Sequence, residues 1–111
     1  VNEDSSNRDF ELRLVKALIK LIYESRGKRV TIRAKLLLKI AGENIDQSSI
    51  VRVSMLLKRL VLKKLLKSEV RKRFQKSRSL NYVVHEGMFL WEIAKNNPSH
   101  AEKLILEALS S

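Results

Sequence analysis

Three cations recur at helical spacing in the middle of the chain, Arg52, Arg59 and Lys63, so that a helix through them carries one outward row of two guanidinium groups and an ammonium. An arginine fork can donate two parallel N–H bonds to a phosphate or to the O6/N7 edge of guanine, whereas a lysine acts as a point charge. The chemistry of the row is therefore polyanion recognition. Lys58 adjoins it, and Ser48 and Ser49 stand where the first turn of that helix would turn its free backbone N–H groups toward an anion. Downstream, Arg71, Lys72, Arg73, Lys76 and Arg78 supply five more cations within eight residues. Only Arg52 and Arg59 suit bidentate contact with a base, and the row contains no Asn or Gln. Weak sequence specificity is the expectation.

Other chemistry finds little support. The two histidines, His85 and His100, have no Cys and no carboxylate at a metal-ligand spacing, and no metal site or cofactor is expected. Gly27, Gly42 and Gly87 are isolated, so no phosphate-cradling loop forms, and no Ser lies in a nucleophile context. No catalytic residue emerges, and an enzyme is not expected. Single-strand binding needs aromatic platforms among the cations, but only Phe74 and Tyr82 lie near them, both better read as packing residues. Duplex DNA is favoured.

The charge distribution points the same way. Of the net +11, residues 26 to 78 carry 17 Lys and Arg against three acids, Glu43, Asp46 and Glu69, while the rest of the chain is slightly acidic. Confinement of the excess to mid-chain is what a polyanion-binding surface requires. With 111 residues, 44% apolar and 32% charged, the chain has the length and composition of one folded domain. No apolar run approaches a membrane span and no signal-like segment appears, so an intracellular protein without membrane contact is expected, in cytoplasm or nucleoid. Abundant Lys, Leu and Ile without Cys faintly suggest a thermophile.

The elements that must position these groups follow from periodicity. Residues 1 to 9 read as a frayed polar tail. A first helix runs from about Arg8 to Ser25, capped by Ser5 or Ser6, with Phe10, Leu14, Leu18 and Ile22 in one row and Val15 and Ile19 beside it. Val30 is a minimal strand, Thr31 an N-cap, and Ile32 to Ala41 a second helix ended by Gly42, with Leu36, Leu37 and Ile40 inward. Ile45 plugs the following turn. The third helix, Ser49 to Leu66, has Asp46, Ser48 or Ser49 as cap and turns Ile50, Val53, Leu57, Leu60 and Val61 to the core. Glu69 to Gln75 and Leu80 to His85 then alternate as two strands of a hairpin with a basic tip. Met88 to Lys95 and His100 to Leu109 are short helices, the last with Ser99 and Glu102 as a capping box.

Val30-Thr31-Ile32-Arg33 followed by Leu36 and Leu37, then Val53 to Leu60 running into Lys63-Lys64-Leu65-Leu66, resembles the winged-helix (winged helix-turn-helix) DNA-binding family. Two departures stand out: the turn from Gly42 to Ser49 is long, and Leu65 stands where a Gly often ends the third helix. The resemblance implies a mainly α fold of three helices and a two-stranded β-hairpin wing, with C-terminal helices added. Transcription regulators and archaeal chromatin-associated proteins share this build. It places the flexible tail at 1–9, the winged-helix domain at 10–85 and a helical extension at 86–111. Arg52, Lys58, Arg59 and Lys63 would face the groove, Ser48 and Ser49 a phosphate, and the basic hairpin the adjacent backbone.

A second function stays open. Val51, Met55, Leu62 and Leu66 line up on the side that a single core leaves wet. Either the hairpin covers Leu62 and Leu66, or the stripe meets a protein partner, as in an accessory subunit of a replication or transcription assembly. A homodimer is expected under either reading, through residues around Leu12, Trp91 and Leu104 to Leu109.

Overall fold

Apolar residues at helical spacing make the first helix the one around which the others pack. The computed structural model describes residues 3–70 and 80–110, with side chains for 8–69 and 81–110. Helix α1, Glu3–Glu24, buries Phe10, Leu14, Val15, Ala17, Leu18, Ile19 and Ile22. It starts five residues before the expected Arg8, so the tail is largely helical. Its C-terminus is closed from another element: the Lys95 Nζ donates to the carbonyls of Ser25 at 2.6 Å and Tyr23 at 3.3 Å.

Strand β1, Arg29–Ile32, overturns the reading of Thr31 as a helix cap. Pairing with β3 from Arg29↔His85 to Ile32↔Tyr82 outweighs a single local cap bond, and Arg33 precedes the second helix with no side-chain cap. Helix α2, Ala34–Ala41, buries Leu37 and Leu38, while Leu36, expected inward, is exposed and Ile40 is half buried. Gly42 ends it in the left-handed region, φ 75, where glycine has no Cβ to strain.

Helix α3, Gln47–Leu62, is capped by Asp46, whose Oδ1 accepts the Ser49 N–H at 2.8 Å. It ends four residues before the expected Leu66. The Leu65 N–H bonds to the Leu60 carbonyl and the Lys64 N–H to the Val61 carbonyl, both at 2.9 Å, with Lys64 at φ 64 in the role usually held by glycine. Leu65 and Leu66 then turn inward and are buried, whereas Leu62 is left outside. Ile45, expected to plug the corner before α3, is half exposed.

Strands β2, Lys67–Val70, and β3, Leu80–His85, pair antiparallel from Lys67↔Val83 to Val70↔Leu80. The first strand begins two residues before the expected Glu69. With β1 they form a three-stranded antiparallel sheet in the order β1-β3-β2, rather than a two-stranded ribbon. Val30, Ile32, Tyr82 and Val84 turn to the core. Val83 points to the other face and is nonetheless buried, between Thr31 and Lys67 on the two edge strands, which the Arg29–Glu69 ion pair also joins.

Helix α4, Phe89–Asn96, buries Leu90, Trp91 and Ala94. Helix α5, Pro98–Ser110, is capped by Asn97, whose Oδ1 accepts the His100 N–H at 3.2 Å; Pro98 at the first position needs no N–H partner, so this cap displaces the expected Ser99–Glu102 box. Helix α5 lies against α1, α4 and α3. Trp91, Ile105 and Leu109 are therefore inside the chain's own core, whereas Leu12, Leu104 and Leu106, from the same expected dimer contact, are half buried. No described helix is long and apolar enough to cross a membrane.

Candidate nucleic-acid interface

The outward side of α3 begins at its capped end. Ser48 is exposed and Ser49 half buried, but the Ser49 N–H is already held by the Asp46 carboxylate. An acid at this position satisfies the helix terminus that a phosphate was expected to approach, and opposes a second anion there.

The arginines of the row also have partners within the fold. The Arg52 guanidinium carbon stands 4.0 Å from the centroid of the Phe10 ring, over the first part of α1. Arg59 donates from Nη2 to the Leu109 carbonyl, in the last turn of α5. Both remain exposed, and with Phe10, Glu11, Met55 and Leu56 they line an open depression of about 230 Å³. Lys58 is exposed further around the helix, and Lys63 is exposed at its C-terminal cap.

Two cations absent from the sequence-derived set extend the surface. Lys64 and Lys67 are exposed just beyond α3, in the turn and on the first residue of β2. Because α3 stops at Leu62, Lys67 opens a strand instead of extending the helix. From Gln47 to Ser68 the chain carries Arg52, Lys58, Arg59, Lys63, Lys64 and Lys67 and no carboxylate at all. Arg71, Lys72, Arg73, Lys76 and Arg78 lie outside the described residues.

Between its cations, α3 presents carbon. Val51, Met55 and Leu62 are 46%, 61% and 80% exposed, so the hairpin does not cover Leu62 as one reading expected. At 100° per residue the three fall within roughly 40° of one another, along about 16 Å of helix. Lys58 borders this strip on one side, Arg52 and Arg59 on the other.

No family model matches the chain, and no curated protein or solved structure is significantly similar to it.

Proposed function

We propose that the chain is a winged-helix protein that binds duplex DNA through its phosphate backbone, with weak sequence specificity. The element order α1, β1, α2, α3, β2, β3 agrees with the order that the winged-helix resemblance implies, with β2 and β3 in the place of the wing, although β1 joins them in one sheet beyond that expectation. The observation that carries the reading is the acid-free run from Gln47 to Ser68, six cations on one helix, the turn after it and the strand it feeds. Its continuation into the basic segment from Arg71 to Arg78 adds five. Lys58, Lys63, Lys64 and Lys67 act as point charges on phosphates. Arg52 and Arg59, the two side chains suited to guanine, are drawn toward Phe10 and the Leu109 carbonyl, which supports weak specificity. A duplex titration across a salt series tests the proposal, since counterion release makes such binding fall steeply as salt rises. The same experiment with unrelated competitor duplexes tests specificity: a ratio above about 10³ would favour a regulator over an architectural protein.

A protein-interaction module is the second reading, and the exposed strip Val51, Met55 and Leu62 favours it. Duplex DNA offers such a strip little beyond thymine methyl groups. The two readings use neighbouring surfaces of α3 and are compatible in one protein.

A further inference from the structure

We infer that the outward strip of α3 docks an acidic amphipathic helix of a protein partner; the inference rests on the second reading above and names the partner's chemistry. Three exposed apolar side chains at positions i, i+4 and i+11 give a stripe three turns long, the length that a helix laid alongside would cover with two or three of its own apolar residues. Exposed carbon of this extent on an otherwise charged helix gains from being covered. The open depression of about 230 Å³ lined by Phe10, Glu11, Arg52, Met55, Leu56 and Arg59 adjoins the stripe, with Glu11 of α1 as its one carboxylate.

Charge fixes the character of the occupant. Lys58 on one flank, Arg52 and Arg59 on the other, and Lys63 and Lys64 at the end surround the strip, and no carboxylate lies in α3 or the turn after it. A basic helix would bring like charges together, whereas Asp and Glu beside its apolar row would meet Lys58 on one side and the arginines on the other. A second copy of this chain is a poorer match. Its other exposed large apolar residues among those described, Tyr23, Leu36, Ile45 and Phe89, lie on four separate segments and form no stripe three turns long. Because the docked acids would face the cations assigned to phosphate contact, partner and duplex compete.

The chain has two methionines, Met55 on the strip and Met88 packed against the core, so methyl-labelled methionine gives a reporter and an internal control. The probe is a designed peptide of about five helical turns with Leu at i, i+4, i+7 and i+11 and Glu on both flanks. The full chain is titrated with this peptide, with a scrambled peptide of equal composition, with a duplex, and with phosphatidylglycerol vesicles. The amphipathic peptide should shift the Met55 methyl resonance and leave Met88 in place, and the scrambled peptide should shift neither. Binding of the labelled peptide should weaken about tenfold or more in Met55→Ser/Leu62→Ser, which removes two apolar contacts without altering charge. Duplex affinity of that variant should stay within about twofold.

Equal binding of both peptides, a silent Met55, or undiminished affinity in the double variant would overturn the inference. So would vesicle binding that depends on Met55 and Leu62 in the absence of peptide binding, which makes the strip a membrane contact. A Met55 signal that moves with protein concentration alone makes it a self-contact and has the same effect. Loss of peptide binding with duplex binding intact refutes this inference and leaves the nucleic-acid reading standing; the converse refutes only the latter.

Discussion

Arg59 on α3 donates to the carbonyl of Leu109, so the helix expected to meet DNA is tied to the last turn of α5. Carbonyls at a helix C-terminus carry partial negative charge and satisfy a guanidinium much as a phosphate oxygen would. Arg59 thus has a structural role, and Arg59→Ala should lower stability by about 1 kcal/mol, a modest value because the group is exposed. The same substitution should weaken duplex binding less than Lys58→Ala does. Thermal melts followed by Trp91 fluorescence, with duplex titrations of both variants, check the pair; unchanged stability with the larger affinity loss at Arg59 would reverse the roles.

Lys64 closes α3 at φ 64, a conformation in which a Cβ costs energy that glycine avoids. Lys64→Gly should therefore raise stability by about 0.5–1 kcal/mol, an increase of several degrees in melting temperature for a domain of this size. Lys64→Val, whose branched Cβ tolerates the conformation least, should lower it. Chemical denaturation of the three proteins reads out the order Gly, Lys, Val, and any other order means that the turn is not the stop.

Tyr82 is buried on the central strand, and burial raises its phenol pKa above the ordinary value of 10.0 because the phenolate is poorly solvated there. The folded state holds the proton more tightly than the unfolded state. Its contribution to stability is complete below pH 10 and is lost as pH rises toward the folded pKa. Tyr82→Phe should flatten that alkaline loss relative to the wild type. Denaturant midpoints measured from about pH 8 to pH 11 supply the test, and parallel curves for the two proteins would mean that Tyr82 does not contribute.

What the sequence disclosed, and what it hid, follows from the range of the interactions involved. The apolar row of α1, the stop at Gly42 and the change of period after Leu66 are local signals, and each corresponds to an element. Lys64 gave no such signal: lysine seldom takes a left-handed conformation, so the helix read on to Leu66 when it ends at Leu62. That turn then sends Leu65 and Leu66 inward and strands Leu62 outside, which is why the cover expected for Leu62 is missing. Thr31 looked like a cap because capping is local, while its place in β1 depends on β3, some fifty residues later. The candidate site shows the same division. Its residue types were legible, but the engagement of Arg52 by Phe10 and of Arg59 by Leu109 joins residues dozens of positions apart and leaves no periodic trace.

The measurement that bears most directly on the proposed function is duplex binding by the isolated chain, followed by fluorescence anisotropy from about 50 mM to about 200 mM salt. If the cations of α3, β2 and the basic segment neutralise about five phosphates, log K should fall with log salt at a slope of about −4.5. Lys58→Ala or Lys67→Ala should each make that slope shallower by about one unit, equally for unrelated duplex sequences. Absence of binding at the lowest salt, or an affinity that does not change with salt, would contradict the account.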